Sequence, residues 1–85
     1  MTPWTPRTDG PPIPEGWRAE YTPTIMDGPV IRYSPARCHG GPEVNASRNG
    51  VGLSDWWAPV ALGVLRALLD RAEWDHKRLA RGEEP

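Results

Sequence analysis

The stretch that most constrains this chain is SDWWAPVALGVLRALLDRAEWDHKRLAR, Ser54 to Arg81, the one long segment with helical periodicity. Ser54 is a natural N-cap, and Asp55 is a first-turn carboxylate that suits the helix dipole. Pro59 is tolerated only in a first turn, where amide hydrogens have no partners. The regular ladder is therefore predicted to start at Trp56–Ala58 and to run over about 55–81. Gly82 suits the C′ position, and Arg78 and Arg81 suit the negative end of the dipole.

At about 100° per residue, Trp57, Ala61, Val64, Leu65, Leu68, Ala72 and Leu79 make one apolar stripe. Leu62 and Leu69 widen it on one side; Trp56, Val60, Ala67 and Trp74 widen it on the other. Asp55, Arg66, Asp70, Glu73, Lys77 and Arg81 form the polar face, with Glu73 and Lys77 a favourable i,i+4 pair. The half from Trp56 to Leu69 carries Arg66 as its only charge, which predicts burial on more than one side. The charged half beyond Leu69 is predicted to be solvated. A helix of this span would be about 40 Å long, whereas a chain this size packs into a body about 30 Å across. The helix is expected to overhang its own domain and to offer apolar surface to a partner.

The rest of the chain is short-period and rich in turns. The first 16 residues hold five prolines, which excludes a helix or central strand and predicts an extended arm. Trp4 and Ile13 are its anchors. Two fates fit such an arm: a floppy tail, or ordering against a neighbour. Trp17 to Met26 alternates, with Trp17, Ala19, Tyr21, Pro23 and Ile25 on one face, and Pro23 marks an edge strand or a bulge. After the Asp27-Gly28-Pro29 turn, Val30–Ser34 returns, giving an antiparallel hairpin over about 17–34. An odd loop of three or five residues puts Trp17, Tyr21, Ile25, Ile31 and Tyr33 on one face, since a one-residue slip would flip a strand. That register pairs Ile25 with Ile31. Pro35 to Leu53 has no firm periodicity. Asn49-Gly50 is a hairpin-turn signal, but the favoured reading is a Gly-rich loop that packs Val44, Val51 and Leu53 under the helix. The architecture expected is α+β: an arm (1–16), then one small domain (17–85) of hairpin, loop and long helix.

Composition excludes several functions. With 85 residues and a net charge of −1, electrostatics argue against nucleic acid or an anionic membrane. Arg7, Arg18, Arg32, Arg37 and Arg48 interleaved with Trp17, Tyr21 and Tyr33 resemble a single-strand platform, but acids balance these arginines throughout. No stretch approaches the ~20 apolar residues of a membrane span, and Met1–Pro14 lacks the apolar run of a secretory signal. A lone cysteine fits a reducing compartment. These features predict a cytoplasmic protein, or a virion component if the gene is a phage's. Nine arginines against one lysine, with abundant Ala, Gly, Pro and Trp, suggest a GC-rich genome, an actinobacterium or its phage.

No constellation carries specific chemistry. Cys38 and His39 are adjacent, so in extended chain they point apart and do not meet as nucleophile and base. Zinc needs three or four ligands at suitable spacing, which Cys38, His39 and His76 do not supply. Asp70, Glu73 and Asp75 among Arg66, Arg71, Lys77 and Arg78 look like a salt-laced surface. The glycines lack the pattern of a phosphate loop. No enzyme activity, cofactor, metal or small-molecule substrate is expected. Five tryptophans without a single phenylalanine exceed what one small core needs, and tryptophan is enriched at binding hot spots. Trp17 and Trp57 are assigned to the core, and Trp4, Trp56, Val60, Trp74 and Leu79 to an interface. The expected function is a protein–protein interaction module, homo-oligomeric or bound to a larger assembly such as a phage structural or accessory protein. The alternatives are a regulator that inhibits one host or defence protein, and a nucleic-acid-associated factor.

Overall fold

Two prolines set the first hairpin. The computed structural model describes residues 4–23, 26, 28–37, 41–54 and 60–85. Strand β1, Trp17–Thr22, stops before Pro23, and β2, Val30–Pro35, starts after Pro29. They pair antiparallel, with Tyr21 opposite Ile31 and Ala19 opposite Tyr33. The loop between them is therefore 23–29, odd in length as expected but longer than three or five residues. The pairing of Ile25 with Ile31 is corrected. Pro23 has no N–H to offer a ladder, so pairing ends one residue earlier. The register moves by an even number of residues and the faces are kept: Trp17, Ala19 and Tyr21 share a side with Ile31 and Tyr33.

A second hairpin stands where a Gly-rich loop was the favoured reading. Strand β3, Glu43–Ser47, and β4, Gly50–Ser54, pair with Ser47 opposite Gly50, so the turn is Arg48-Asn49. The sheet is a simple meander, β1-β2-β3-β4. Pairing against β2 makes β3 a central strand, and Val44 and Ala46 are fully buried beside Ile31 and Tyr33. That tertiary pairing outweighs the weak local signal of EVNAS and GVGLS.

Helix α1, Leu62–Ala80, is shorter than expected. Ser54 ends β4 instead of capping a helix, residues 55–59 lie outside the described residues, and the N-cap is Ala61, extended and without a side-chain cap. At 19 residues the helix is about 28 Å long. The body measures 33 × 24 × 23 Å, so the helix does not overhang it. The C-terminus ends as expected. Gly82 takes φ 78° and donates to Leu79 O at 3.0 Å, while the Glu83 N–H reaches Arg78 O at 3.0 Å, a Schellman motif. Among the described residues, no helix is long and apolar enough to cross a membrane.

The charged half of the helix is not solvated as expected: Arg71, Ala72, Asp75, Arg78 and Leu79 are buried. In the apolar half Leu68 is buried, but Leu62 is 69% exposed. The expected polar face holds: Arg66, Asp70, Glu73, Lys77 and Arg81 are all exposed. A helix is about 10 Å wide and strands lie about 4.8 Å apart, so one helix cannot roof four strands. α1 packs chiefly on β3, with less contact to β4 and β2. The arm covers the β1 side. Trp4 lies on Tyr21, ring centroids 5.7 Å apart, and Ile13 packs against the core. Among the described residues nothing comparable covers β4, where Val51 is 38% and Leu53 53% exposed. Their expected place under the helix is corrected.

Candidate functional site

Asp75 sits at the centre of a buried ionic cluster. Arg71, Asp75 and Arg78 follow at i, i+4 and i+7, so they share one helix face, and each is at most 2% exposed. Arg71 Nε donates to Asp75 Oδ2 at 2.9 Å, and Arg78 Nη1 donates to Oδ1 at 2.8 Å. The Tyr33 hydroxyl, from the buried face of β2, also donates to Oδ2. The carboxylate is thus held by three donors from two elements. Both guanidinium groups lie near the Trp74 ring, at 4.9 and 4.6 Å from its centroid, a cation–π arrangement strengthened by burial.

One further nitrogen of each arginine fastens a chain end, while Arg78 Nε is buried without a partner among the described residues. Arg71 Nη1 donates to Arg7 O at 2.7 Å and Pro11 O at 3.1 Å. Arg78 Nη2 donates to Glu84 O, and Trp4 Nε1 to Pro85 O at 3.3 Å. Gly10 lies so close to Trp74 that a Cβ there would be 2.6 Å from ring atoms. The proline-rich arm thus orders on its own helix. It also walls a cleft of about 420 Å³ between Pro6, Pro12, Ile13 and Arg71. Arg7 and Asp9 add an exposed pair at 2.6 Å. The bonded Arg7 lowers the Asp9 carboxyl, and Asp9 raises Arg7.

Burial, and then the bond and charge of Asp75, push the Tyr33 phenol far above its ordinary value of 10.0. The group whose proton is held in the fold loses it readily once unfolded. Its contribution to stability is complete below pH ~10 and falls as pH rises above that. We expect the urea midpoint to decline steeply above pH 10 for the wild type and less steeply for Tyr33→Phe. Equal slopes in the two proteins would remove Tyr33 from the cluster.

This arrangement is a clasp. Among the described residues, no three His, Cys, Asp or Glu side chains are placed to hold a metal. Cys38 and His39 lie outside the described residues. His76, expected in a solvated helix, is half-buried with Nδ1 2.7 Å from Ser47 O, tying the helix to the β3 end. The outer face of the sheet carries a shallow trough of about 460 Å³ along β3 and β4. The two charges that line it are paired, Arg32 meeting Glu43 at 3.7 Å; on β1, outside the trough, Arg18 meets Glu20 at 3.2 Å.

The residues assigned to an interface from the sequence are scattered. Leu79 is core, 1% exposed. Trp74 is half-buried under Gly10 and two guanidiniums, and Trp4 is half-buried on Tyr21. Val60 is half-buried next to the helix start, and Trp56 lies outside the described residues. Among the described residues, the exposed large apolar side chains are instead Met26, Val51, Leu53 and Leu62. Val51 and Leu53 belong to β4, a sheet edge without charge or proline. The alternation in GVGLS was the signal for it. Compared with known proteins, this chain matches no family model, no curated protein and no solved structure.

Proposed function

We propose that this chain is a non-enzymatic protein–protein interaction module that works by strand addition at β4. The observation that carries the reading is the contrast between the two sheet edges. Sheet edges attract other strands, and proteins guard them with charge, proline or short length. β1 carries Arg18 and Glu20 and stops at Pro23. β4 carries no charge, ends no strand with proline, and exposes Val51 and Leu53. An added strand would find main-chain groups to pair and two aliphatic side chains to cover. Helix α1 is contained within the body and offers no overhang to a partner, so the reading rests on this edge.

The test places a charge at both apolar positions. In Val51→Lys/Leu53→Lys each lysine replaces a side chain already partly in water, so the melting temperature is expected to move by a few degrees at most. Wild type and double variant serve as baits in extract of the source cell, and any partner found is then titrated in pure form. Affinity should fall at least tenfold for the double variant. It should hold for an Arg18→Ala/Glu20→Ala control on the opposite edge. A partner that binds the double variant as tightly as wild type would sink the reading.

A further inference from the structure

We infer that the strand added at β4 is β4 of a second copy, paired antiparallel about a two-fold axis at Gly52; this rests on the strand-addition reading above. The register of the second hairpin decides which groups are open. A two-residue turn closes on a hydrogen-bonded pair, here Ser47 and Gly50. Alternation then makes Asn45/Gly52 and Glu43/Ser54 hydrogen-bonded pairs as well. Val51 and Leu53 stand in the pairs between, so their N–H and C=O groups point away from β3 to the open edge.

Those two residues lie either side of Gly52. Two copies centred on Gly52 put Val51 opposite Leu53 of the partner, and Leu53 opposite the partner's Val51. Every outward N–H then meets an outward C=O. Centring on Val51 instead would face Leu53 with the Arg48-Asn49 turn and leave its groups unmatched. A shift to odd registers would face outward groups with inward ones. The strand is thus complementary to itself in one register, as an isologous contact requires.

Side chains agree with the backbone. Val51 and Leu53 share the helix-bearing face with Val44 and Ala46, their β3 partners. In the paired sheet each aliphatic side chain would lie beside its counterpart on that same face, covering the area now exposed. No charge lies between Asn49 and Ser54 to repel a like strand. Among the described residues nothing lies within 4 Å of where a Cβ at Gly52 would be, so a side chain placed there by substitution meets no neighbour within the chain.

The test uses the full chain, with Cys38→Ser as background. Sedimentation and native mass spectrometry over a hundredfold concentration range should give a monomer–dimer equilibrium. Val51→Lys/Leu53→Lys should remain monomeric with an unchanged circular-dichroism spectrum. Gly52→Cys reads the register. Two Gly52 positions would face each other in a non-hydrogen-bonded pair with Cα atoms about 4.5 Å apart, within disulfide range. Two Ser54 positions would be about 14 Å apart along the strands. Gly52→Cys should therefore cross-link under mild oxidation at least tenfold faster than Ser54→Cys. A strictly monomeric wild type, a dimer that survives the double lysine variant, or equal cross-linking at the two positions would each overturn the inference. A monomer whose binding to another protein still requires Val51 and Leu53 would end the second-copy inference and leave strand addition standing. Loss of both would end both.

Discussion

Asp75→Ala is expected to remove most of the stability of this chain, about 3–5 kcal/mol. Asp75 is fully buried between Arg71 and Arg78, each 2% exposed. Taking it away leaves two guanidinium groups in a low-dielectric site with no counter-charge, and leaves the Tyr33 hydroxyl without an acceptor. Removing one member of a buried ionic network costs far more than the network contributes as a whole, because the survivors keep their desolvation penalty. Net stability is about 0.05–0.15 kcal/mol per residue for natural proteins, so a chain of 85 residues has little in reserve. The measurement is urea unfolding followed by far-ultraviolet circular dichroism. Glu73→Ala is the comparison, since Glu73 pairs with Lys77 at 3.4 Å in the open, with side chains 61% and 65% exposed. That pair should be worth no more than about 0.5 kcal/mol. If the two variants lose equal stability, the Asp75 cluster is solvated and the clasp does not hold the fold.

The cluster was partly legible in the sequence. On a helical wheel Asp75 falls between Val64 and Leu68, inside the apolar stripe, with Arg71 and Arg78 on its border. A carboxylate at that angle flanked by arginines at i−4 and i+3 signals a buried network. Charge composition pointed instead to a solvated face, and that rule prevailed because it ignores angle. The α+β class, the alternating faces of β1 and β2 and the helix C-terminus followed from local chemistry: alternation, paired prolines and Gly82. The helix start did not. Ser54 has the chemistry of a cap, but it is committed to pairing with Glu43, a partner 11 positions away that no local rule sees. The arm was legible in part: Trp4 and Ile13 do anchor it, but its docking on the helix was not, for the same reason. Its prolines exclude a helix and a central strand but do not reveal that Arg71 has two donors to spare for the carbonyls of Arg7 and Pro11.

A chain lacking residues 1–16 is expected to lose about 2–4 kcal/mol and to show red-shifted tryptophan emission. The losses are specific. Two hydrogen bonds from a charged donor, Arg71 Nη1 to Arg7 O and Pro11 O, disappear; bonds to charged groups are worth about 1.5–3 kcal/mol each. Water replaces part of that, since the guanidinium becomes accessible. Trp4 leaves Tyr21, Ile13 leaves the core and Gly10 leaves Trp74. Against this stands the entropy recovered by the freed segment, about 1–2 kcal/mol per ordinary residue. It is smaller here because the ring of each proline already restricts the unfolded arm. The balance favours a bound arm, but by less than the contacts alone suggest. Gly10→Ala separates the arm's docking from its mere presence. The added methyl would meet the Trp74 ring at 2.6 Å, and a ring flanked by two buried guanidiniums has little room to turn. Overpacking of this kind costs about 1–3 kcal/mol, and proteolysis within the arm should accelerate in the variant. An unchanged urea midpoint in both the truncated chain and Gly10→Ala would mean that the arm rests on the helix without stabilising it. The clasp would then close on α1 and β2 alone.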